Sequence, residues 1–335
     1  MASPTQELEV WKNAPDDEVR YHALLRVFAP FMRKSTRPEF PRPKYTWAEA
    51  EKELRKLQKV DGALEAGKNA GASLATSYYP HFFHVPKKLG ALSAIEAWSD
   101  DESIKRAVED CFRGGDAPTL TNIRSRLRFN VEAGEITNFR PVAAKYLYER
   151  YVPPAGRVLD PSAGWGARQM AARSLGLTYV GLEPFTKTNA CGMKLATDLD
   201  KVYGGRTELV QVGSEDFCPE AMHGTFDFAF TSPPYFDVEP YSTEGTQSHV
   251  KFPTLEKWYA GFVFGTARNV FKLLKPGAMC GLNVAKDFGD AFRRCYEQAG
   301  FEYVEELGYG LTSVPGRGAP GEVRAEPILI FRKPV

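Results

Sequence analysis

Several features that would narrow the possible functions of this 335-residue chain are missing from its sequence. The five cysteines are widely scattered and form no Cys-x-x-Cys pair, which argues against a disulfide framework and against a zinc site. No uninterrupted apolar run is long enough to span a bilayer, and the first residues lack the charged and apolar regions of a secretory signal. We therefore expect a soluble cytoplasmic protein that has no metal site and does not bind membranes.

A large excess of charge of either sign is also absent. The 43 basic and 42 acidic residues leave a net charge of +1, so any surface that attracts nucleic acid must be local. The chain is 43% apolar and 25% charged, a composition typical of globular proteins, and its length allows one large domain or two ordinary ones.

The first part of the chain, residues 1–137, is predicted to be mainly helical and to form a domain of its own, which could contribute to DNA recognition. Capping-box patterns mark the starts of helices, and glycine pairs mark their ends. Three helices are predicted: Glu18–Arg33, a helix from the capping box at Thr46–Glu49 to about Ala66, and a helix between the capping box at Ser99–Glu102 and Gly114.

Three arginines, Arg124, Arg126 and Arg128, alternate with other residues in Ile123–Asn130. A strand would place all three on one face, and in a helix Arg124 and Arg128 would still share a face. In either case we expect the three guanidinium groups to project together. They would serve as contacts to DNA phosphates or form an ordinary exposed face.

Three other segments of this region carry weaker signals. Phe31–Tyr45 contains five basic residues against one acidic residue, and it either follows a phosphate backbone or is a solvated linker. Tyr78–His84 interleaves aromatic residues with histidine, and it either stacks on an exposed base or belongs to the local core. Glu132–Glu135 is predicted to be a hairpin turn before Ile136.

From residue 138 to residue 335, short apolar runs alternate with helical segments. The predicted strands are Arg157–Asp160, Thr178–Leu182, Glu208–Val212, the first half of Phe226–Phe236, Met279–Val284, Phe301–Leu307 and Pro327–Phe331. The helices predicted between them are Val142–Tyr151 behind Pro141, Ala167–Leu175, Lys187–Val202, Thr254–Leu274 and Ala291–Ala299. This alternation predicts an α/β domain with a doubly wound, mostly parallel seven-stranded sheet. The last two strands leave no room for a helix between them, so they should form an antiparallel hairpin at one edge.

The segment Phe226–Phe236 joins an apolar, aromatic run to Ser232-Pro233-Pro234-Tyr235. Two consecutive prolines cannot donate ladder hydrogen bonds, so the strand should stop there in a rigid turn. Open α/β sheets bind their ligands at this carboxyl edge. The turn would present the hydroxyl of Ser232 and the ring of Tyr235 to a ligand, or it is only a proline-rich turn.

A second predicted turn, Asp160–Gly166, contains two glycines and leads from a strand into a helix. Glu183 lies 23 residues beyond Asp160 (183 − 160) at the end of the next strand, where a carboxylate can accept hydrogen bonds from both ribose hydroxyls. The turn lacks the lysine of a triphosphate loop, and Ser162 stands where the dinucleotide pattern has its first glycine. A small adenosine-bearing ligand is therefore favoured. Asp216 would either hold its adenine amino group or cap a helix.

Together these motifs resemble those of the S-adenosylmethionine-dependent DNA amino-methyltransferases. The resemblance rests on Asp-Pro-x-x-Gly-x-Gly at 160–166, the acidic residue at 183 and Thr-Ser-Pro-Pro-Tyr at 231–235, and it covers roughly Asn138–Val335. It implies a Rossmann-like methyltransferase fold, S-adenosyl-L-methionine as cofactor, and methylation of cytosine N4 or adenine N6 in a base flipped from the duplex. The cofactor site that it implies consists of Arg140, Pro141, Asp160, Ser162, Gly164, Gly166, Glu183 and Asp216.

The same resemblance implies that the target amine lies on Ser232-Pro233-Pro234-Tyr235. An aromatic amine is a poor nucleophile because its lone pair is delocalised into the ring. The Ser232 hydroxyl and the Pro233 carbonyl would accept its N–H bonds and help to localise that lone pair. Tyr235 would stack on the flipped base, and Phe236 would extend the stacking surface as a DNA contact.

Several alternatives stay open at this stage. Ser232 slightly favours cytosine N4 over adenine N6, whereas carbon-5 methylation is disfavoured because the chain has no Pro-Cys pair. Trp165 and Arg168 depart from the family pattern, and their roles are open. Target recognition would fall to residues 1–137 or to Asp237–Phe252, and a restriction-endonuclease partner is unknown. RNA or a protein glutamine could be the substrate instead, or the chain could be a non-catalytic nucleic-acid-binding protein of the same fold.

Overall fold

The computed structural model describes residues 3–129, 136–238, 240–310 and 325–335. As far as they are described, these residues form two compact units, one with residues up to 42 and 81–137, the other with 43–80 and residues from 138 onward. The sequence predicts residues 43–80 to lie with the N-terminal part, whereas they belong to the second unit. The predicted turn at Glu132–Glu135 lies outside the described residues.

The first unit contains only helices among its described residues, whereas the second unit contains both helices and strands. In chain order the α-helices are α1 (Pro4–Lys12), α2 (Asp17–Phe28), α3 (Trp47–Lys59), α4 (Ala72–Ser77), α5 (Ala94–Ser99), α6 (Asp101–Arg113), α7 (Leu120–Phe129), α8 (Pro141–Tyr151), α9 (Ala167–Ser174), α10 (Thr186–Leu199), α11 (Ser248–Lys251), α12 (Leu255–Trp258), α13 (Phe264–Leu273) and α14 (Gly289–Gln298). The strands are β1 (Arg157–Asp160), β2 (Thr178–Leu182), β3 (Arg206–Val210), β4 (Phe226–Thr231), β5 (Leu274–Asn283), β6 (Glu302–Gly310) and β7 (Ala325–Arg332). Across the described ranges, no helix has both the length and the apolar character needed to cross a membrane.

The sheet has seven strands in the order β3-β2-β1-β4-β5-β7-β6. The pairs from β3 to β5 are parallel, while β7 is antiparallel to both β5 and β6. This confirms the predicted Rossmann-like methyltransferase fold with its antiparallel hairpin. The strand order reverses between β1 and β4, and in doubly wound sheets ligands bind at the carboxyl ends of the strands beside such a reversal.

Strand β4 is buried on both sides of the sheet, which explains its almost continuous run of apolar residues. Phe228 and Phe230 pack towards Tyr148 of α8, with ring centroids 6.2 and 6.4 Å away. Phe226 belongs to the core on the opposite face, which is built largely by α13 and α14. Leu57 of α3 belongs to a third cluster that covers α9 and α10, and this packing attaches residues 43–80 to the sheet.

Three helix predictions need correction. The helix expected at 18–33 is α2, which begins at Asp17 behind the capping side chain of Asp16 and ends at Phe28 before a 3₁₀ turn. The helix from the Thr46 capping box ends at Lys59, seven residues before Ala66 (66 − 59). Asp100 caps α6 by accepting the amide of Ser103, so the predicted box at 99–102 is not formed.

The region between β4 and β5 also differs from prediction. The helix expected at 254–274 is divided into α12, a π-helical turn at Tyr259–Val263, and α13. Strand β5 begins at Leu274, five residues before the predicted start at Met279 (279 − 274). Pro141 occupies the first turn of α8, as predicted, where its missing N–H has no helical acceptor to lose.

The first unit is held together by aromatic packing. Trp11 of α1 stacks on Phe112 of α6 with ring centroids 4.7 Å apart. The ring of Trp98 meets Phe31 and Phe40 edge-on, at 5.4 and 5.5 Å. Such edge-to-face and offset arrangements are the favoured geometries of aromatic pairs. Buried aromatic residues therefore connect the helices that precede and follow residues 43–80.

Candidate active site

The predicted turn Asp160–Gly166, called the glycine turn below, follows β1 and faces the end of β2. Gly164 and Gly166 both adopt left-handed backbone conformations, with φ of +55° and +76°. The amide of Gly164 donates to Glu183 Oε2 at 2.9 Å, so the turn and the acidic residue form one unit. A side chain at Gly166 would lie 2.5 Å from Leu195 and 2.7 Å from the Tyr79 hydroxyl, so Gly166 is needed for packing.

Glu183 is the buried acid that the sequence predicts at the end of β2. Its Oε1 accepts the amide of Phe185 at 2.9 Å, and its Oε2 accepts the amide of Gly164. Burial raises the pKa of Glu183 to about 7, against the opposing effect of these two backbone donors. Each carboxylate oxygen has a second lone pair, so this ordered group can still accept hydrogen bonds from a ligand.

Asp160 and Arg168 form an ion pair beneath the turn, with Arg168 Nε 2.7 Å from Asp160 Oδ2. Tyr179 donates its hydroxyl to the same oxygen at 2.6 Å, and the amide of Ser162 donates to Oδ1 at 3.2 Å. Arg168 also donates to the carbonyl of Ser162. The Asp160 side chain is fully buried and shapes the turn from below, and the cofactor contact predicted for it stays a prediction.

Arg140 uses all its guanidinium donors inside the protein. Its Nη2 donates to the carbonyls of Leu64 and Gly310 at 2.8 Å each, and its Nε donates to the Tyr309 hydroxyl at 3.1 Å. Its Nη1 donates to the carbonyls of Glu65 and Lys68. These bonds join segment 64–68 to the end of β6, and the cofactor contact predicted for Arg140 stays a prediction.

Ser232, Pro233, Pro234 and Tyr235 follow β4 directly, as predicted. The Ser232 hydroxyl donates to Asn283 Oδ1 at 3.4 Å, and the Tyr235 hydroxyl donates to the Asn283 carbonyl at 3.2 Å. The Tyr235 ring stacks on Phe288 with centroids 5.4 Å apart and an interplanar angle of 30°. The shelf formed by residues 232–235 is therefore anchored to the end of β5 and to the turn that follows it.

Phe236, which the sequence predicts to extend the stacking surface, is half-buried. The φ of Phe236 is +51°, an unusual conformation for a bulky residue. Its ring meets that of the buried Trp258, with ring centroids 6.0 Å apart. Phe236 packs against the same core cluster as α13. The left-handed conformation lies in the turn that is closed by the Val238 amide donating to the Tyr235 carbonyl at 3.0 Å, and the DNA contact predicted for Phe236 stays a prediction.

Glu215 and Asp216 belong to a 3₁₀ turn, Ser214–Asp216, that follows β3. Lys251 of α11 donates to Glu215 Oε1 at 3.0 Å and also pairs with Asp216, whose side chain is exposed. Asn269 of α13 donates to the backbone carbonyls of Ser214 and Glu215, which fixes this 3₁₀ turn from behind. The adenine contact predicted for Asp216 stays a prediction. Neither Lys251 nor Asn269 could be assigned from the motif.

Trp165, whose role the sequence left open, packs within the second unit. Its ring meets Tyr79 and Tyr241 edge-on, both at 5.7 Å, and its carbonyl accepts the side-chain amide of Asn138 at 3.0 Å. The segment after the shelf is also tied to the end of β2, because Glu244 Oε2 accepts the amide of Thr186 at 3.1 Å. The segment around 241–244 therefore lies close to the glycine turn and to Glu183.

In the first unit, the prediction that three arginines project together is wrong. Ile123–Phe129 belongs to helix α7, so Arg124 and Arg128 share a face, as expected for a helix, and Arg126 lies on another. Arg124 donates to the Pro41 carbonyl at 2.8 Å and covers the ring of Phe83 at 4.7 Å. Arg126 pairs with Asp116 on another side of the helix. Arg128 is exposed, so a DNA contact stays a prediction for this residue.

The aromatic and histidine-containing segment 78–84 is local core. Tyr79, Phe82 and Phe83 are 1%, 3% and 1% exposed, which leaves no ring surface for an incoming base. The neighbouring basic segment is also engaged in part, because Arg37 donates to the Trp98 carbonyl at 2.8 Å and pairs with Asp101. These contacts favour the structural interpretation of both segments.

Asn283, Glu326 and Phe288 were not predicted to take part in the site. Asn283 is 3% exposed and ends β5, and its Nδ2 lies 3.4 Å from Glu326 Oε2 at the start of β7. Sequence does offer a weak signal, since Asn283 and Glu326 are polar residues at the ends of apolar strands. The pairing itself depends on β7 lying between β5 and β6, which no local pattern indicates.

Comparison with known proteins adds information on the fold. No family model matches the chain, and no curated protein matches its sequence. Solved structures similar to it include TrmN from Thermus thermophilus, with 17% identity over 58% of this chain and 49% of that chain and a TM-score of 0.41. The chain thus spans about half the length of that protein.

Two other similar structures cover more of their own length. An S-adenosylmethionine-dependent methyltransferase from Methanosarcina mazei shares 15% identity over 56% of this chain and 97% of that chain, with a TM-score of 0.39. A methyltransferase from Pyrococcus furiosus shares 14% identity over 59% of this chain and 84% of that chain, with a TM-score of 0.41. At such identities the likeness concerns the fold alone, and function has to be argued from the site.

Proposed function

We propose that this protein is an S-adenosylmethionine-dependent N-methyltransferase that acts on the exocyclic amine of a DNA base. One observation carries the proposal. The Ser-Pro-Pro-Tyr shelf follows β4, the glycine turn follows β1, and these neighbouring strands flank the reversal of strand order. An amine on the shelf would thus lie beside a ligand that is held by the turn and Glu183.

The residues around the turn fit an adenosine-bearing cofactor. Glu183 presents a carboxylate held by two backbone amides, and Gly164 leaves its Cα side open, since a Cβ atom at this position would meet nothing closer than 3.7 Å. Glu183 would bind the ribose hydroxyls, Gly164 would allow close approach of the backbone, and Asp216 would bind the adenine. The bound sulfonium cofactor would supply an electrophilic methyl group.

The shelf supplies what an amine substrate needs. Ser232 Oγ and the Pro233 carbonyl are oxygen acceptors held on a strand end that two prolines make rigid. Together they would orient the amine, and the alignment of the two reactants would account for much of the rate. Tyr235, anchored through Asn283 and Phe288, would stack on the base and compensate part of the few kcal/mol needed to unstack it.

The test is methyl transfer from isotopically labelled S-adenosylmethionine to DNA of varied sequence, followed by nucleoside mass analysis. N4-methylcytosine or N6-methyladenine is the expected product, and cytosine N4 is slightly favoured because of Ser232. Parallel reactions contain RNA and glutamine-containing protein, and label in one of these alone would reassign the substrate. Cofactor binding is measured by calorimetry beforehand. If the protein binds DNA but not the cofactor, it is a non-catalytic binding protein.

A further inference from the structure

Both hydroxyl hydrogens of the shelf are directed to a single residue. Ser232 donates to the side-chain oxygen of Asn283, and Tyr235 donates to its backbone oxygen, at 3.4 and 3.2 Å. A hydroxyl has one hydrogen and two lone pairs. Once the hydrogen of Ser232 points to Asn283, its oxygen can offer only lone pairs to a substrate.

The orientation of the Asn283 amide follows from its other neighbours. Its nitrogen side lies 3.3 Å from the Pro327 carbonyl and 3.4 Å from Glu326 Oε2. A carbonyl can only accept, so the group that faces Pro327 must be the NH₂ of the amide, whatever the protonation of Glu326. The amide oxygen therefore faces Ser232. Asn283 is 3% exposed, which restricts rotation of the side chain and exchange with water.

The fold brings these groups together. Strand β7 is antiparallel to β5, and Asn283 at the end of β5 is paired with Ile328 near the start of β7. The first residues of β7 therefore lie at the edge of the sheet where the parallel strands end. Glu326 and the Pro327 carbonyl are thus placed beside the shelf. Burial raises the pKa of Glu326 in this position, opposed by its hydrogen bond with Asn283.

From this geometry we propose that Asn283 is a positioning residue that fixes the Ser232 hydroxyl as a hydrogen-bond acceptor and thereby selects substrates that present an N–H donor. The inference rests on the proposed N-methyltransferase function and adds the reason for its substrate class. An amine N–H would meet the lone pairs of Ser232 Oγ. A carbonyl oxygen in the same place would meet those lone pairs without an intervening hydrogen and would be repelled.

Two variants of Asn283 separate this role from a merely structural one. Asn283→Ala removes the acceptor, so the Ser232 hydroxyl can rotate and donate, and kcat should fall on the order of 100-fold through misplacement of the amine. Asn283→Asp keeps an oxygen facing Ser232, but it places a second carboxyl beside Glu326 and a carboxyl oxygen opposite the Pro327 carbonyl. Because the oxygen facing Ser232 is kept, Asn283→Asp should retain most of the turnover. Because of the added carboxyl, its melting temperature should fall, even as far as that of Asn283→Ala.

A double-mutant cycle tests whether Asn283 acts through Ser232. In the Ser232→Ala background the hydroxyl is gone, so Asn283→Ala should have almost no further effect on kcat. A change of no more than about twofold is expected, which is the usual scatter of such cycles. A binding measurement provides a second readout. Fluorescence anisotropy without cofactor compares oligonucleotides that carry cytosine or uracil, or adenine or hypoxanthine, at the methylated position. The wild type should prefer the amine-bearing base, and Asn283→Ala should lose this preference.

The outcomes distinguish the two proposals. Absence of methyl transfer by the wild type to DNA, RNA or protein would overturn the proposed function together with this inference. Active wild type with an unchanged kcat in Asn283→Ala would overturn the inference alone. So would full additivity with Ser232→Ala, or a loss of turnover in Asn283→Asp as large as in Asn283→Ala.

Discussion

Arg168 Nε lies 2.7 Å from Asp160 Oδ2, and the two side chains are 6% and 0% exposed. Burial by itself would lower the pKa of Arg168, but the charge and hydrogen bond of Asp160, together with Tyr179 and Tyr148, outweigh burial and raise that pKa. The pair lies directly under the glycine turn. The role of Arg168, which the sequence left open, is therefore to bind the Asp160 carboxylate and the carbonyl of Ser162.

Removal of one partner of this pair should be strongly destabilising. Arg168→Met leaves a buried carboxylate without its cation and should lower the free energy of unfolding by about 3–5 kcal/mol, measured by urea denaturation. The matched control is Arg55→Met, which breaks an exposed ion pair with Glu51 in α3 and should cost less than about 1 kcal/mol. Similar losses in the two variants would contradict the buried role of Arg168.

The two glycines of the turn should respond differently to alanine. Gly166→Ala would bring a methyl group within 2.5 Å of Leu195 and should destabilise the fold by more than the roughly 1–2 kcal/mol of a left-handed alanine. Gly164→Ala meets nothing closer than 3.7 Å and should cost only that backbone term. Thermal unfolding measures stability, and calorimetry measures cofactor affinity. Weaker cofactor binding with a loss of stability no larger than about 1–2 kcal/mol is expected for Gly164→Ala alone.

Cofactor affinity should depend on pH through Glu183. The pKa of this carboxyl is about 7 in the unliganded protein, so the group is mostly protonated below that pH and cannot accept from both ribose hydroxyls. Affinity should be constant above pH 7 and fall about tenfold per pH unit below it, with release of a proton on binding. Calorimetry in buffers of different ionisation enthalpy measures both effects. Glu183→Gln should bind weakly with a flat profile, and an unchanged slope would contradict this assignment.

Tyr235 and Glu183 should have separable effects. Tyr235→Ala removes the stacking ring, worth about 1–3 kcal/mol per base, and should reduce turnover while cofactor affinity stays nearly unchanged. Glu183→Ala should mainly reduce cofactor affinity. Tyr235→Phe keeps the ring and loses only the bond to the Asn283 carbonyl, so its turnover should lie between those of wild type and Tyr235→Ala. Equal losses of cofactor affinity in the two alanine variants would contradict this division of the site.

Much of the fold could be predicted because its signals are local. The apolar runs of β1 and β2 and the proline pair after β4 each lie within a few residues, and the structure has β1 and β2 at the predicted bounds. Predicted helix ends differ from the observed ones where a proline or a π-helical turn interrupts the pattern, as at Ala29–Phe31 and Tyr259–Val263. Local preferences compete there with tertiary packing.

The arginines show why side-chain roles were harder to predict. A guanidinium is equally suited to phosphates, carboxylates and backbone carbonyls, so its sequence neighbours do not reveal its partner. The partners of Arg140 are as far as 170 residues away in the chain, at Gly310. Arg124 likewise meets Pro41 across 83 residues. In both cases an arginine that suggested ligand contact is used to join distant segments.

By itself the sequence determined the succession of strands and helices along the chain, the two turns at 160–166 and 232–235, and the acidic residue after β2. These follow from periodicity and from the backbone restrictions of proline and glycine, which act within a few residues. Only the tertiary structure decided that Asn283 receives the hydroxyl hydrogens of both Ser232 and Tyr235. That arrangement requires β7 to enter the sheet antiparallel between β5 and β6, a pairing that depends on the whole domain.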